Sequence, residues 1–360
     1  MDYSKLNLFC LNLLLRSNLH LQSKRCTNHR KQLNIQRDMS DVFARMTEDT
    51  RALVQQMQAH ATPPPSDANP VQLAREGYRQ IIPLAGSVEE VETVEEYQVS
   101  STPAIPLRLY RPRSQGNVTS PLPALVYFHG GGFISGGFDT HDRPLRALAN
   151  AAGCVIVAVE YRLAPEFPFP AAPEDCFAAL QWVIQQSEAL QVDAAKIAIA
   201  GDSAGGLLAT VICLMCRDRS ASQPLAQVLI YPNTDLAIDT ASWRELDFLH
   251  PSRSRENFLG QVEMYVPDLN QRQQPYASPL LAPNLSRLAP ALIITTELDA
   301  QRDEGEAYAQ RLRDAGCLVT HTRYPGVLHG FFQMGGVIAS GRVAIAEVAA
   351  FLRLRFGSFN

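Results

Sequence analysis

The sequence predicts an α/β protein built on a mostly parallel central sheet with helices on both faces. Three observations carry this. From residue 123 onward, short and fully apolar runs alternate with helical stretches. Glycines and prolines mark the junctions between them. The chain has 360 residues, enough to bury one large core of this class. An apolar run without polar alternation reads as a strand buried on both faces, as parallel strands are under crossover helices.

The elements follow in order. Ser40 suits an N-cap, and Val42, Phe43, Met46, Leu53, Val54 and Met57 recur at helical spacing until Pro63–Pro65 ends the run. A second helix is expected over 71–80, then strands at Val91–Ser100 and Ile105–Tyr110. The regular part predicts strands at Ala124–Phe128, Cys154–Val159, Lys196–Ala200, Gln227–Tyr231, Ala291–Thr296 and Leu318–Tyr324. Helices are expected over 141–152, 172–188, 203–217, 304–315 and about 337–355. Residues 240–275 interrupt the alternation with polar residues and scattered aromatics. In such sheets the chemistry lies in loops beyond the carboxyl ends of strands.

Composition narrows the function. With 32 basic and 36 acidic side chains, net −4, the chain is a poor nucleic-acid binder. A hydrophobic share of 46% excludes a disordered chain, and seven cysteines do not make a disulfide scaffold. No apolar run is long enough for a membrane span, so no stable membrane insertion and a cytoplasmic location are expected. The charge is uneven: residues 1–38 carry +5 and hold three of the four lysines, leaving −9 for the rest. That segment reads as a targeting peptide, a disordered basic arm, or sequence upstream of a start at Met39. The abrupt change of composition at a methionine favours the last.

Four motifs carry chemistry. Gly201-Asp202-Ser203-Ala204-Gly205 is G-x-S-x-G between a strand and a helix, the setting of a nucleophile elbow. Small neighbours let the chain turn sharply, and the serine hydroxyl then stands over the sheet at a helix N-terminus. The bland alternative is a glycine-rich turn with a capping serine. His129-Gly130-Gly131-Gly132-Phe133 follows a strand, and its glycines let backbone N–H groups converge as an oxyanion hole requires. A dinucleotide fingerprint is disfavoured: Gly130, Gly132 and Gly136 are spaced one residue too long, and Thr140-His141-Asp142 delays the helix.

The acid is one of four carboxylates after the strand Ala291–Thr296. The dipole of the next helix accounts for Asp303 and Glu304. Spacing leaves Glu297 and Asp299 open. His329 is the histidine in a loop after a strand and downstream of these carboxylates, with His141 the other candidate base. The order Ser203, Asp299, His329 is that of the nucleophile, acid and base in hydrolases with the elbow. Cys213 and Cys216 form C-x-x-C inside a helix and read as buried small residues, not a metal or redox pair.

Together these segments resemble the hormone-sensitive-lipase-like carboxylesterases of the α/β-hydrolase fold. The resemblance runs from about residue 39 to the end. It rests on His129–Phe133, Tyr161–Glu166 with Pro168–Ala171, Gly201–Gly206, Asp299 through Arg302-Asp303-Glu304-Gly305, and His329-Gly330-Phe331. The family's Asp-Pro-Leu-x-Asp-Glu-Gly run maps its acid onto Asp299, although Ala300-Gln301 stand here for Pro-Leu.

The resemblance implies an α/β-hydrolase domain over 86–360 with a helical cap from 39–85 and an insertion over about 236–280. It implies a serine esterase acting on short- to medium-chain acyl esters without cofactor or metal. Ser203, Asp299 and His329 would be catalytic, and Gly131, Gly132 and Ala204 would supply the oxyanion N–H groups. His129 and Gly130 would support the loop, and Phe133 and Tyr161 would contact substrate. Phe43, Tyr78, Phe248 and Tyr265 are further candidates for the pocket lining. The partner is a small-molecule ester, with a homodimer through the edge strand Leu318–Tyr324 as a further expectation. The alternatives are a non-catalytic small-molecule receptor on the same fold, or an amidase, carbamate hydrolase or deacetylase using the same triad.

Overall fold

The computed structural model describes residues 40–59, 69–113, 120–237, 239–247, 249 and 255–357. The basic segment 1–38, the run Pro63–Pro65 and Phe248 lie outside the described residues. Eight strands form one sheet: β1 (Thr93–Val99), β2 (Ile105–Arg111), β3 (Leu122–Phe128), β4 (Val155–Val159), β5 (Val192–Asp202), β6 (Gln227–Ile230), β7 (Ala291–Leu298) and β8 (Val319–Leu328). Their order is β1-β2-β4-β3-β5-β6-β7-β8. β2 runs antiparallel to both its neighbours, and every later pairing is parallel.

Helices ahead of the sheet are α1 (Glu48–Ala59) and α2 (Pro70–Arg79). The crossovers carry α3 (Phe138–Ala152), α4 (Ala171–Gln185), α5 (Ala204–Asp218), α6 (Ala241–Leu246), α7 (Arg255–Tyr265) and α8 (Arg302–Asp314), and α9 (Ala339–Phe356) closes the fold. Strand periodicity splits the core in two. Ala124, Val126 and Phe128 of β3 pack toward α4, α5 and α8. Leu125 and Tyr127 pack toward α3 and α9. That two-sided covering is why the strands lack polar alternation.

A third, smaller cluster joins Val42, Met46 and Val54 to Leu246, Leu298 and Leu328. Leu298 and Leu328 are the last residues of β7 and β8, so the N-terminal segment packs on the ends of the two strands that precede Asp299 and His329.

Local departures from the expected elements have physical causes. The first helix is not continuous over 40–59; it breaks at Met46 and Thr47. The Thr47 N–H donates to Gly326 O (3.0 Å) instead of continuing a helical ladder. Thr140-His141-Asp142 does not delay α3, which begins at Phe138. Thr140 Oγ1 accepts from the Gly137 N–H (3.1 Å), and Glu160 accepts from the Phe138 N–H (2.9 Å), so the early start is capped. β8 runs on to Leu328, with an irregularity between Thr296 and Leu298 of its partner. It is the edge strand, as expected, and the adjoining Leu318 is 68% exposed. Cys213 and Cys216 lie buried in α5. Among the described residues, no helix is long and apolar enough to cross a membrane.

Candidate active site

The sharp turn between β5 and α5 centres on Ser203, whose backbone has φ 55° and ψ −118°. A non-glycine residue at positive φ is strained and persists only where its surroundings over-determine it. Here the Ser203 N–H donates to Ile230 O (2.9 Å), and Ser203 O accepts from the N–H groups of Leu207 and Asn233 (both 3.2 Å). A Cβ on Gly201 would stand 2.1 Å from Gly205 O, and one on Gly205 would stand 1.9 Å from Phe128 O. Side chains are therefore excluded at both flanks. Ser203 is 3% exposed, and its Oγ makes no hydrogen bond within the described residues.

The glycine-rich loop leaves the end of β3, the strand next to β5. Gly131 has φ 134° and Gly132 φ 63°, a region that side chains disfavour. Gly131 O accepts from Ser135 N–H (3.0 Å) and Ser135 Oγ (2.7 Å), closing a tight turn. Among the described residues, the Gly131 and Gly132 N–H groups donate to no backbone carbonyl.

His129 Nδ1 lies 2.9 Å from Gly130 O and must donate, since a carbonyl only accepts. Its ring stacks on Tyr161 at 4.3 Å, and the Tyr161 hydroxyl donates to His129 O (2.6 Å). Burial pushes the His129 imidazole down to about 3, so the ring is neutral. Tyr161 thus braces the loop from behind. Phe133 is buried face to face with Tyr265 of α7, at 3.8 Å between ring centroids. Gln261 of α7 also reaches the loop: a Cβ on Gly132 would lie 2.1 Å from its Oε1.

Across the sheet, the ends of β7 and β8 bring Asp299 and His329 together. His329 Nδ1 donates to Asp299 Oδ2 at 2.6 Å, leaving Nε2 as the basic nitrogen of the neutral ring. Asp299 Oδ1 accepts from the Gln301 N–H (3.0 Å). Tyr231 packs on the His329 ring at 4.5 Å. It stands between Ile230, which binds the Ser203 N–H, and the segment to Asn233, which binds Ser203 O. Tyr231 therefore links the serine to the histidine.

Glu297 is employed otherwise. It accepts from Arg45 Nε (2.9 Å) and the Gly326 N–H (2.8 Å). Burial alone would raise its carboxyl, but Gly326 and Arg45 hold it below the usual range. Between the two open carboxylates, the structure sets Asp299 against the histidine.

The helix dipole is not an adequate account of Glu304. It is fully buried, its Oε1 accepts from the Thr234 N–H (3.0 Å), and burial pushes its carboxyl well above the usual value. Asp303 accepts from the Ser242 N–H (2.7 Å). His141 lies behind the elbow, 3.0 Å from Asp202 Oδ1, not beside His329. Tyr78 directs its hydroxyl to Gln333, and Phe43 packs on the cluster under Leu298 and Leu328. Sequence reasoning missed Asp202, Gln333 and Gln261. Asp202 stood in plain view inside the elbow motif, but nothing in its spacing announced its four distant partners, Tyr127, Gly130, His141 and Gln333.

Known proteins resemble this chain in sequence and in fold. A family model described as alpha/beta hydrolase fold matches residues 125–333. Ethyl acetate hydrolase of Pseudomonas putida is 37% identical over 272 residues, covering 73% of this chain and 84% of that protein. Carboxylesterase NlhH of Mycobacterium tuberculosis is 36% identical over 291 residues, covering 79% and 90%. The crystal structure of an esterase from Pyrobaculum calidifontis superposes with a TM-score of 0.78 at 39% identity, covering 86% of this chain and 98% of that one. The chain therefore belongs to the hormone-sensitive-lipase-like carboxylesterase family, as a serine hydrolase of the α/β-hydrolase fold.

Proposed function

We propose that this chain hydrolyses short- to medium-chain acyl esters through an acyl-enzyme on Ser203. The observation that carries the reading is the strained, hydroxyl-bearing elbow facing the same end of the sheet as the His329–Asp299 pair. Ser203 Oγ attacks the ester carbonyl while His329 Nε2 takes its proton. Asp299 holds the ring in the required tautomer and stabilises the imidazolium. The N–H groups of Gly131, Gly132 and Ala204 receive the developing oxyanion. His329 then protonates the leaving alcohol, and water activated by the same ring releases the acid. No metal or cofactor enters these steps.

Helices α1 and α2 and the insertion bearing α6 and α7 act as the cap. The Phe133–Tyr265 stack and Gln261 fill space beside the oxyanion loop, which supports a pocket for small acyl groups. The site of action is the cytoplasm, and two chains pair through the β8 edge, a state that sedimentation measures.

The test is a series of p-nitrophenyl esters from acetate to dodecanoate, with Ser203→Ala as control. The expected result is highest kcat/KM among the short and medium chains, and a loss of at least about a thousandfold in kcat for Ser203→Ala. Preference for dodecanoate would overturn the chain-length assignment, and a fully active Ser203→Ala would overturn the mechanism.

A further inference from the structure

We propose that helix α2 and the buried Asp202 carboxylate hold the oxyanion loop at its two ends, making Arg75, Tyr78, Gln333 and Asp202 positioning residues for the reaction. The proposal rests on the assignment of the Gly131 and Gly132 N–H groups as oxyanion donors.

At the entry of the loop, the Gly130 N–H donates to Asp202 Oδ1 (2.9 Å). The approach is close: a Cβ on Gly130 would lie 2.4 Å from Asp202 Oδ2. The same carboxylate accepts from the Tyr127 hydroxyl (2.9 Å), faces His141 Nε2 (3.0 Å) and accepts from Gln333 Nε2 (3.0 Å). Gln333 Nε2 also contacts His141 Nε2. Gln333 Oε1 in turn accepts from the hydroxyl of Tyr78 on α2 (3.1 Å). A relay therefore runs from α2 to Gln333, to Asp202, and to the first N–H of the loop.

At the exit of the loop, Arg75 stands one turn before Tyr78 on the same helix. Its Nε donates to Ile134 O (2.8 Å), and its Nη2 donates to Ala164 O (3.3 Å) and Glu166 (2.7 Å). Gly131 and Gly132 lie between these two anchors. Asp202 is also the chain neighbour of Ser203, so nucleophile and loop share one fixed point.

Burial alone would raise the Asp202 carboxyl, but His141, Tyr127 and the Gly130 N–H hold it below the usual range. It is therefore an anion, and charge-assisted hydrogen bonds are the strong ones. Oxyanion donors stabilise a transition state only where they are held in place beforehand, and a misplacement of about 1 Å costs roughly a hundredfold. Helix α2 thus sets turnover as well as bounding the pocket.

The experiment compares Asp202→Asn, Tyr78→Phe and Arg75→Gln, with Arg79→Ala on the same helix as a control and Ser203→Ala as the inactive reference. Steady-state kinetics on one p-nitrophenyl ester are combined with inhibition by a trifluoromethyl ketone, whose serine adduct carries an oxyanion. Asp202→Asn should lower kcat about 10–100-fold, less than removal of a donor itself. Tyr78→Phe and Arg75→Gln should lower it roughly 3–10-fold, with KM within about twofold. Ketone affinity should fall by the same factor as kcat/KM, and Arg79→Ala should match wild type. If Asp202→Asn does not fold, the variants at the half-buried Tyr78 and Arg75 decide. Wild-type kcat and ketone affinity in Tyr78→Phe and Arg75→Gln would overturn the proposal, as would losses confined to KM. A Ser203→Ala enzyme that still turns over would instead overturn the underlying reading of the site.

Discussion

The two halves of the site are held by different physics. On the nucleophile side, position is set by backbone sterics. Ser203 sits at positive φ, and Cβ atoms at Gly201 and Gly205 would overlap the carbonyl groups of Gly205 in α5 and Phe128 in β3, respectively. On the acid–base side, position is set by side chains. Asp299 and His329 follow strand ends clamped by Leu298 and Leu328 under the N-terminal cluster, and by Arg45, Glu297 and Thr47 around Gly326. Steric constraints are written into residue types at fixed local spacing. The N-terminal clamps, Val42, Arg45, Met46, Thr47 and Val54, come from more than two hundred positions away.

The largest test of this contrast is on the acid side. Asp299→Asn should cost about 10⁴ in kcat, the loss expected when a histidine is left in the wrong tautomer. Glu297→Gln should leave kcat within a few-fold, because its partners are Arg45 and Gly326. Steady-state kinetics on both variants decide it, and the reverse outcome would reassign the acid.

Gly205→Ala probes the steric side. With its Cβ 1.9 Å from Phe128 O, the substitution forces the backbone apart. A destabilisation above about 4 kcal/mol in urea unfolding is expected, placing it among the exceptional single substitutions. A change below about 1 kcal/mol would show that the elbow relaxes easily.

The halves also differ in pH signature. His129 titrates near 3 in the folded state because it is buried. As pH falls below about 6.5, the unfolded chain binds the proton first and stability is lost at about 1.4 kcal/mol per unit. Between pH 6.5 and 5 this is about 2 kcal/mol, which His129→Gln should remove from the slope. Glu304 behaves oppositely. Its folded value lies well above the ordinary carboxylate range, so the unfolded chain ionises first and stability falls as pH rises above about 4.5. Glu304→Gln should flatten that limb. Urea midpoints across pH for the two variants check both signs.

The smallest effect is expected at Arg45. Its pairs with Glu245 (2.6 Å) and Glu297 (2.9 Å) are partly exposed, so Arg45→Ala should cost no more than about 1 kcal/mol in urea unfolding. A larger loss would mean that the acid–base side depends on this clamp more than on the apolar cluster.

The same contrast explains what was legible in the sequence. The parallel sheet showed in the apolar runs, since strands covered on both faces need no alternation. The elbow and glycine loop showed in their glycines. Asp299 against Glu297 could not be separated by spacing, because the choice is made by Arg45 and Gly326, which reach Glu297 from other parts of the chain. Glu304 looked like a helix-dipole carboxylate, yet it is a buried anchor for Thr234. The break at Thr47 was hidden for the same reason: its hydrogen bond goes to Gly326, not to its own helix.

Covalent trapping of the nucleophile tests the central claim most directly. The protein is incubated with a p-nitrophenyl alkylphosphonate, the released nitrophenol is counted, and the adduct is located by intact-mass and peptide analysis. One equivalent released, with a single adduct on Ser203 and none on Ser203→Ala, is the predicted result. An adduct on another residue, or ester hydrolysis that continues with Ser203 blocked, would contradict it.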